Sequence, residues 1–217
     1  HRDLHSFPTR RSSDLQDPAL ASVFEIARRS TGRLQRLINS LLDINRLEAG
    51  QPITYQNEVS PARLVHEAME AVAPYLENKH QQLLDELETD LPMLMADVDM
   101  IRRVLINLLE NAAKYSPSGS RVLVRARRVS GGVEFGISDQ GPGIPAEARE
   151  IIFEKFVRLP GTRSSKGLGL GLSFCRLAVQ AHGGKIWVDA EPDGGSRFCF
   201  VLPAEETSSV KIGETDL

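Results

Sequence analysis

Leu20, Ala27, Leu34 and Leu41 recur every seven residues, and Val23, Ser30, Leu37 and Ile44 fill the second seam position of the same repeat. Phe24 and Ile38 widen the apolar stripe. So wide a face belongs to a helix-bundle element rather than to a lone surface helix. The spacing predicts one helix over residues 17–49, with Asp17 at the N-cap, Pro18 in the first turn and Gly50 as the stop. One helix cannot bury that face alone. It needs an antiparallel partner, a second copy of the chain, or both.

The remainder of the 217 residues must build its own core, and 41% hydrophobic with 25% charged residues is ordinary for a globular protein. A formal net charge of −3 argues against a nucleic-acid or membrane-surface partner. Cys175 and Cys199 lie far apart and form no C-x-x-C pair, so reduced thiols in a cytoplasmic setting are the simpler reading. No apolar run approaches the roughly 18 residues of a membrane span, and no signal peptide is visible. Whether a longer parent protein is membrane-anchored stays open.

Periodicity then orders the elements. A short strand over 53–59 precedes a helix over 61–79 with Leu64, Val65, Ala68, Val72 and Leu76 on one face. A weak strand over 82–88 follows, and Asp97 caps a helix carrying Ile101, Val104, Leu105, Leu108 and Leu109. Residues 122–128 and 133–139 alternate as strands around the Gly131-Gly132 turn. A helix is expected from near Pro145, another over 171–182, and two last strands over 185–190 and 196–202. Three helices on one face of a mixed sheet make an α+β, two-layer α/β sandwich.

Three stretches carry chemistry. In N-L-L-E-N-A-A-K-Y-S-P (107–117), Asn107, Asn111 and, one turn on, Lys114 with Tyr115 share a side of the helix. Two carboxamides at i, i+4 suit Mg²⁺, which takes few protein ligands and keeps waters and phosphates, and Lys114 offers a cation to phosphate. D-Q-G-P-G-I-P (139–145) follows a strand directly. Gly141 and Gly143 let a ligand approach the main chain, and Asp139 can accept from an exocyclic amine such as adenine N6. In K-G-L-G-L-G-L-S (166–173), Gly167, Gly169 and Gly171 alternate with Leu168 and Leu170 into a helix start, which makes an anion cradle. Arg158, Arg163 and Lys166 precede it as a basic lid, and Phe153 and Phe156 are expected to anchor that lid.

The order of these stretches, closed by G-G-S-R-F-C-F-V-L-P (194–203), resembles the N box, first glycine box, F box, second glycine box and closing strand of the histidine-kinase catalytic domain. The tail L-L-D-I-N-R-L-E-A-G of the first helix resembles the end of the second dimerisation helix of the same kinases. The resemblance implies the GHKL (Bergerat) ATP fold over 53–205 and a dimerisation helix over 16–50, while the polar composition of 206–217 reads as a loose tail. It implies ATP and Mg²⁺ as cofactors. Asn107 and Asn111 would hold the metal, Lys114 and Tyr115 the phosphates and sugar, Asp139 the adenine, and the second-box glycines the lid hinge. Ser196 stands where the family usually has Thr near adenine. A homodimer through the bundle helix, a response-regulator receiver domain as partner and a bacterial cytoplasmic location follow by the same route.

GHKL ATPases place a glutamate base one turn before the metal-binding asparagine. Here that position is Asn107, which cannot take a proton from water. Glu110 lies one residue before Asn111 and so points about 100° away around the helix. The reading is therefore kinase rather than ATPase or non-enzymatic ATP sensor. The family's phosphoacceptor string, histidine with an acid and then L-R-T-P-L, does not occur in this chain. His66, His80 and His182 read as solvated or capping residues. Residues 1–15 have no helical or strand period and resemble a translated sequencing-adapter read. The H-R-D-L within them matches the catalytic loop of Ser/Thr/Tyr kinases by chance, since that family's other motifs are absent. The expectation is a chain that binds Mg-ATP without phosphorylating itself.

Overall fold

The computed structural model describes residues 18–53, 55–159 and 168–204. Asp17, the basic-lid residues Arg163, Lys166 and Gly167, and the segments 1–15 and 206–217 lie outside the described residues. The chain divides into two units, His1–Leu42 and Asp43–Leu217.

Helix α1 spans Pro18–Glu48. Within the first unit, Leu20, Val23, Phe24, Ile26, Leu34, Ile38, Leu41 and Leu42 are all exposed. Among the described residues of this unit, the heptad face carries most of these exposed apolar side chains. The last turns belong to the second unit, where Ile44 is fully buried.

In that second unit the order is β1 (Asn57–Val59), α2 (Pro61–Glu77), β2 (Gln82–Leu87), β3 (Leu94–Ala96), α3 (Val98–Tyr115), β4 (Arg121–Val129), β5 (Gly132–Ser138), α4 (Gly171–Ala181), β6 (Lys185–Ala190) and β7 (Ser196–Pro203). β1 and β3 form a small antiparallel ribbon. The main sheet has the order β2-β4-β5-β7-β6, parallel between β2 and β4 and antiparallel elsewhere. Its register puts Val124, Ile137, Phe198 and Val188 in one row and Ala126, Phe135, Phe200 and Ile186 in the next. Side chains alternate faces along a strand, so this apolar set covers one side of the sheet and joins the buried faces of α2, α3 and α4 in a single core. Phe135 stacks on Phe200 with centroids 4.7 Å apart. The opposite side carries ion pairs such as Arg125–Glu86 and Arg127–Glu134, both 2.7 Å.

Three expectations change. β3 has no counterpart in the sequence reading. The expected helix near Pro145 is instead two 3₁₀ turns, Ala146–Ala148 and Ile151–Phe153. This tighter winding buries Ala148, Ile152 and Phe153 together, with Phe153 meeting Phe198 edge-on at 6.3 Å. Phe156 is 63% exposed rather than packed in the core, and most of the lid that it is expected to anchor lies outside the described residues. The Phe156 backbone is left-handed (φ 66), and its N–H donates to Gly169 O at 3.0 Å.

Of the two readings of His182, solvated or capping, the structure bears out the second: it is the C-cap of α4. It is 7% exposed and joins the end of α4 to the start of α3. Nε2 accepts from the Asp97 N–H at 3.0 Å, while Nδ1 lies 2.7 Å from Ala178 O. That pair of partners requires a neutral ring with its proton on Nδ1. Asp97 in turn caps α3 through Met100 N (3.0 Å). Desolvation lowers the His182 pKa, against smaller raising effects of the Ala178 carbonyl and the Asp97 charge. With a folded pKa below the unfolded value, the unfolded chain binds the extra proton. The stabilising contribution is thus present above about pH 6.5 and is lost as the pH falls from there through the folded pKa. Urea midpoints measured between pH 7.5 and 5.5 fall more steeply for the unaltered chain than for His182→Gln; equal slopes would remove His182 from the account.

Candidate functional site

The α3 helix supplies one wall. Leu108, Leu109, Ala112 and Ala113 are buried, which leaves Asn107, Asn111 and Lys114 half-buried on the adjoining side while Glu110 faces solvent. Lys114 Nζ donates to Tyr115 Oη at 3.0 Å and lies 4.6 Å from that ring's centroid. Asn107 faces the start of α4: a Cβ on Gly171 would sit 3.4 Å from its Oδ1. Behind it, Arg103 lies over the Phe174 ring at 4.1 Å and pairs with Asp43. The asparagine stretch and the second glycine stretch therefore meet directly. In the latter, Leu170 is buried, Leu168 is exposed and Gly169 is left-handed (φ 73). A side chain at Gly169 would meet the Phe156 backbone at 2.9 Å. Arg158 is exposed and has a partner.

The second wall begins where β5 ends. Asp139 is 6% exposed, and its Oδ1 accepts from the N–H groups of Gly141 (2.7 Å) and Ser196 (3.3 Å). Its own N–H donates to Ser196 O at 2.8 Å. Burial raises the carboxyl pKa, the two backbone donors lower it, and the Glu191 charge adds a smaller upward push. Glu191 itself accepts from Ser138 Oγ at 2.5 Å.

Glycine is required around this carboxylate by space as well as by backbone angle. A Cβ on Gly141 would lie 2.8 Å from Asp139 Oδ1 and 3.3 Å from Tyr115 O, and one on Gly195 would lie 2.0 Å from Asp139 O. Gly143 is left-handed (φ 78) and packs toward Gly195 O. Asp139, Gly141, Gly143, Tyr115 and Ser196 thus converge at one end of the site, and Asn107 with Gly171 at the other.

Sequence reasoning missed the supports of this arrangement. Lys79 and Gln81, on the turn after α2, donate to the carbonyls that end α3. Ser116 Oγ accepts from Gln140 N at 3.2 Å. No periodic or motif signal marks Lys79 or Gln81, whose backbone partners at the end of α3 lie more than thirty residues away. A separate open groove of about 920 Å³ lies between α2 and the start of α3. Arg63, Glu67, Asp99 and Arg102 line it and pair with one another, and it shares no residue with the two glycine stretches.

Both cysteines are free and buried. Desolvation pushes the Cys175 thiol up to about 12 and the Cys199 thiol up to about 11, so both stay protonated and unreactive at neutral pH. Among the described residues, no helix is long and apolar enough to cross a membrane.

Residues 96–206 match the family described as histidine kinase-, DNA gyrase B- and HSP90-like ATPase. The adaptive-response sensory kinase SasA of Synechococcus elongatus is 38% identical over 199 residues, which cover 91% of this chain and 51% of that protein. The chain thus spans about half the length of the curated relatives it matches. Among solved structures, full-length ShkA in complex with AMPPNP superimposes with a TM-score of 0.73 at 31% identity, covering 85% of this chain and 39% of that one. The mycobacterial sensor histidine kinase MprB gives 0.60 at 33% identity, covering 69% and 97%. The fold, the meeting of the asparagine helix with two glycine stretches, and these likenesses agree: the chain belongs to the histidine kinase-, DNA gyrase B- and HSP90-like ATPase family and carries the catalytic domain of a sensor histidine kinase.

Proposed function

We propose that residues 53–205 bind Mg-ATP between α3, the loop after β5 and the start of α4, and pass the γ-phosphoryl to a histidine on a bundle helix, for relay to a response-regulator aspartate. The observation that carries this reading is the Asp139 carboxylate: buried, held on one oxygen by two backbone N–H groups, and closely walled by Gly141 and Gly195. Its other oxygen is suited to accept from an adenine amine. Tyr115 and Lys114 take the sugar and phosphates, with Ser196 beside the base. The positive end of α4, opened by Gly169 and Gly171, receives phosphate oxygens, with Arg158, Lys166, Gly167 and Leu168 as lid.

Asn107 and Asn111 fit Mg²⁺, because both are half-buried carboxamides on one side of α3 and this cation takes most of its shell from phosphate and water. When bound, Mg²⁺ neutralises charge on the transferring phosphoryl group. The chain's own share is to orient the nucleotide and to withhold a base from water. Asn107 and Asn111 cannot act as bases, and Glu110 faces solvent. Phosphoryl transfer therefore awaits an external nucleophile rather than hydrolysis.

The exposed heptad face of α1 supports a homodimer through residues 16–50. A separate first-helix domain bearing a histidine, added with Mg-ATP, is expected to gain an acid-labile phosphate only when the 217-residue chain is present. The chain alone gains none, and light scattering gives a dimer mass. Steady phosphate release without acceptor would support the ATPase reading instead, and a monodisperse monomer would remove the dimer.

A further inference from the structure

We propose that Lys79 and Gln81 are positioning residues for the nucleotide, acting through Ser116 to fix the end of α3 against the loop that carries Asp139. The inference rests on the nucleotide reading above and deepens it.

A helix ends with carbonyls that have no partner within it. At the end of α3 those carbonyls converge on two side chains from the α2–β2 turn. Lys79 Nζ donates to Ala113 O at 2.5 Å, to Ser116 O at 2.8 Å and to Lys114 O at 3.4 Å. An ammonium has three protons, and here each faces a carbonyl. Gln81 Nε2 lies within 3.0–3.3 Å of Ala113 O, Ser116 O, Pro117 O and Ser120 Oγ. Its Oε1 is buried and has no partner among the described residues, a cost that a merely space-filling residue would not carry. His80 between them is left-handed (φ 53). The Lys79 carbonyl also accepts from Gly119 N at 3.1 Å, so the turn holds both ends of the 113–119 stretch.

The held stretch touches the site at two points. Ser116 Oγ accepts from Gln140 N, the residue after Asp139, and Tyr115 O packs against Gly141, 3.3 Å from where a Cβ there would sit. Ser116 thus has its carbonyl in the clamp and its hydroxyl on the loop. Lys114 and Tyr115 lie on the backbone so restrained, and Asp139 lies one residue from the hydrogen bond. Releasing the clamp lets the two walls drift apart. A displacement of about 1 Å in a positioned site is felt strongly. A positive charge at a helix C-terminus also offsets the negative end of the dipole, near where an anionic ligand is read to bind.

Titration of the 217-residue chain with ATP and Mg²⁺ in a calorimeter tests this. Lys79→Met and Gln81→Met are each expected to raise the ATP Kd about tenfold, and Lys79→Arg to recover part of the loss. In Gln81→Met the orphaned oxygen is removed, so the melting temperature changes little while affinity falls. Ser116→Ala weakens binding in the unaltered background and adds nothing to Lys79→Met, because both break one path. Unchanged Kd in folded variants, or effects of Lys79→Met and Ser116→Ala that multiply, would overturn the clamp. If Lys79→Met does not fold, Gln81→Met with Ser116→Ala completes the same cycle. An unaltered chain that binds no ATP at all overturns the nucleotide reading itself.

Discussion

Replacing Asp139 with asparagine weakens ATP binding about a hundredfold and leaves the nucleotide-free fold at least as stable as before. Asparagine keeps one oxygen for the Gly141 and Ser196 N–H groups but turns the other acceptor into an NH₂ donor. An amine-bearing base would then meet a donor, and a buried polar mismatch is rejected far more strongly than a missing methylene. The stability half follows from the raised carboxyl pKa. A folded pKa above the unfolded value means that the folded chain favours the protonated group. The associated stability is present below the unfolded pKa, about 3.9, and is lost as pH rises through the folded pKa. At neutral pH the ionised carboxylate is therefore a burden on the empty protein, and a neutral amide relieves it. Calorimetric titration together with thermal melting without ligand reads both halves. Wild-type affinity in the variant would sink the assignment of Asp139 to base recognition.

Gly195→Ala is expected to cost roughly 3 kcal/mol or more of folding stability, lowering the melting temperature by about 10 °C. Gly195 has φ 105, and an added Cβ would lie 2.0 Å from the Asp139 carbonyl oxygen. That oxygen is backbone and cannot rotate away, so the start of β7 must shift. Gly194→Ala serves as control: its φ of 90 is also positive, but an added Cβ meets nothing within 4 Å. It should lose only the conformational part, about 1–2 kcal/mol. Equal losses in the two variants would show that backbone angle, not the close approach to Asp139, sets the requirement.

What the sequence made legible follows the strength of local periodicity. The α3 stripe Ile101, Val104, Leu105, Leu108 and Leu109 is buried as its spacing requires, and β6 spans Lys185–Ala190, the bounds expected for that strand. β3 escaped because three residues, Leu94–Ala96, are too few to show a period. The stretch after Pro145 has helical propensity but takes 3₁₀ turns, since the Phe153 contact with Phe198 is a tertiary demand that propensity cannot foresee. Glycines were legible as flexible points, yet what each one avoids is not. Gly169 yields to the backbone of Phe156, and Gly195 to that of Asp139. Asn107, Asn111 and Asp139 stood out by type and order. Lys79 and Gln81 did not, because their acceptors are main-chain oxygens that no side-chain pattern encodes.

The Asp139 pocket is closed by strand register. Asp139 follows Ser138, which lies opposite Arg197, and the pocket is completed by the N–H and carbonyl of Ser196, fifty-seven positions on. A slip of one residue between β5 and β7 would turn the whole apolar row over and would also leave the carboxylate without its second donor. On the proposed function, a nucleotide held by Asp139 recognises only molecules whose central strands are aligned. At a hundred times its Kd such a ligand favours that population by about 2.7 kcal/mol. On the proposed function, ATP acts as a folding ligand as well as a phosphoryl donor, and refolding with ATP is expected to favour correctly zipped sheets over slipped ones.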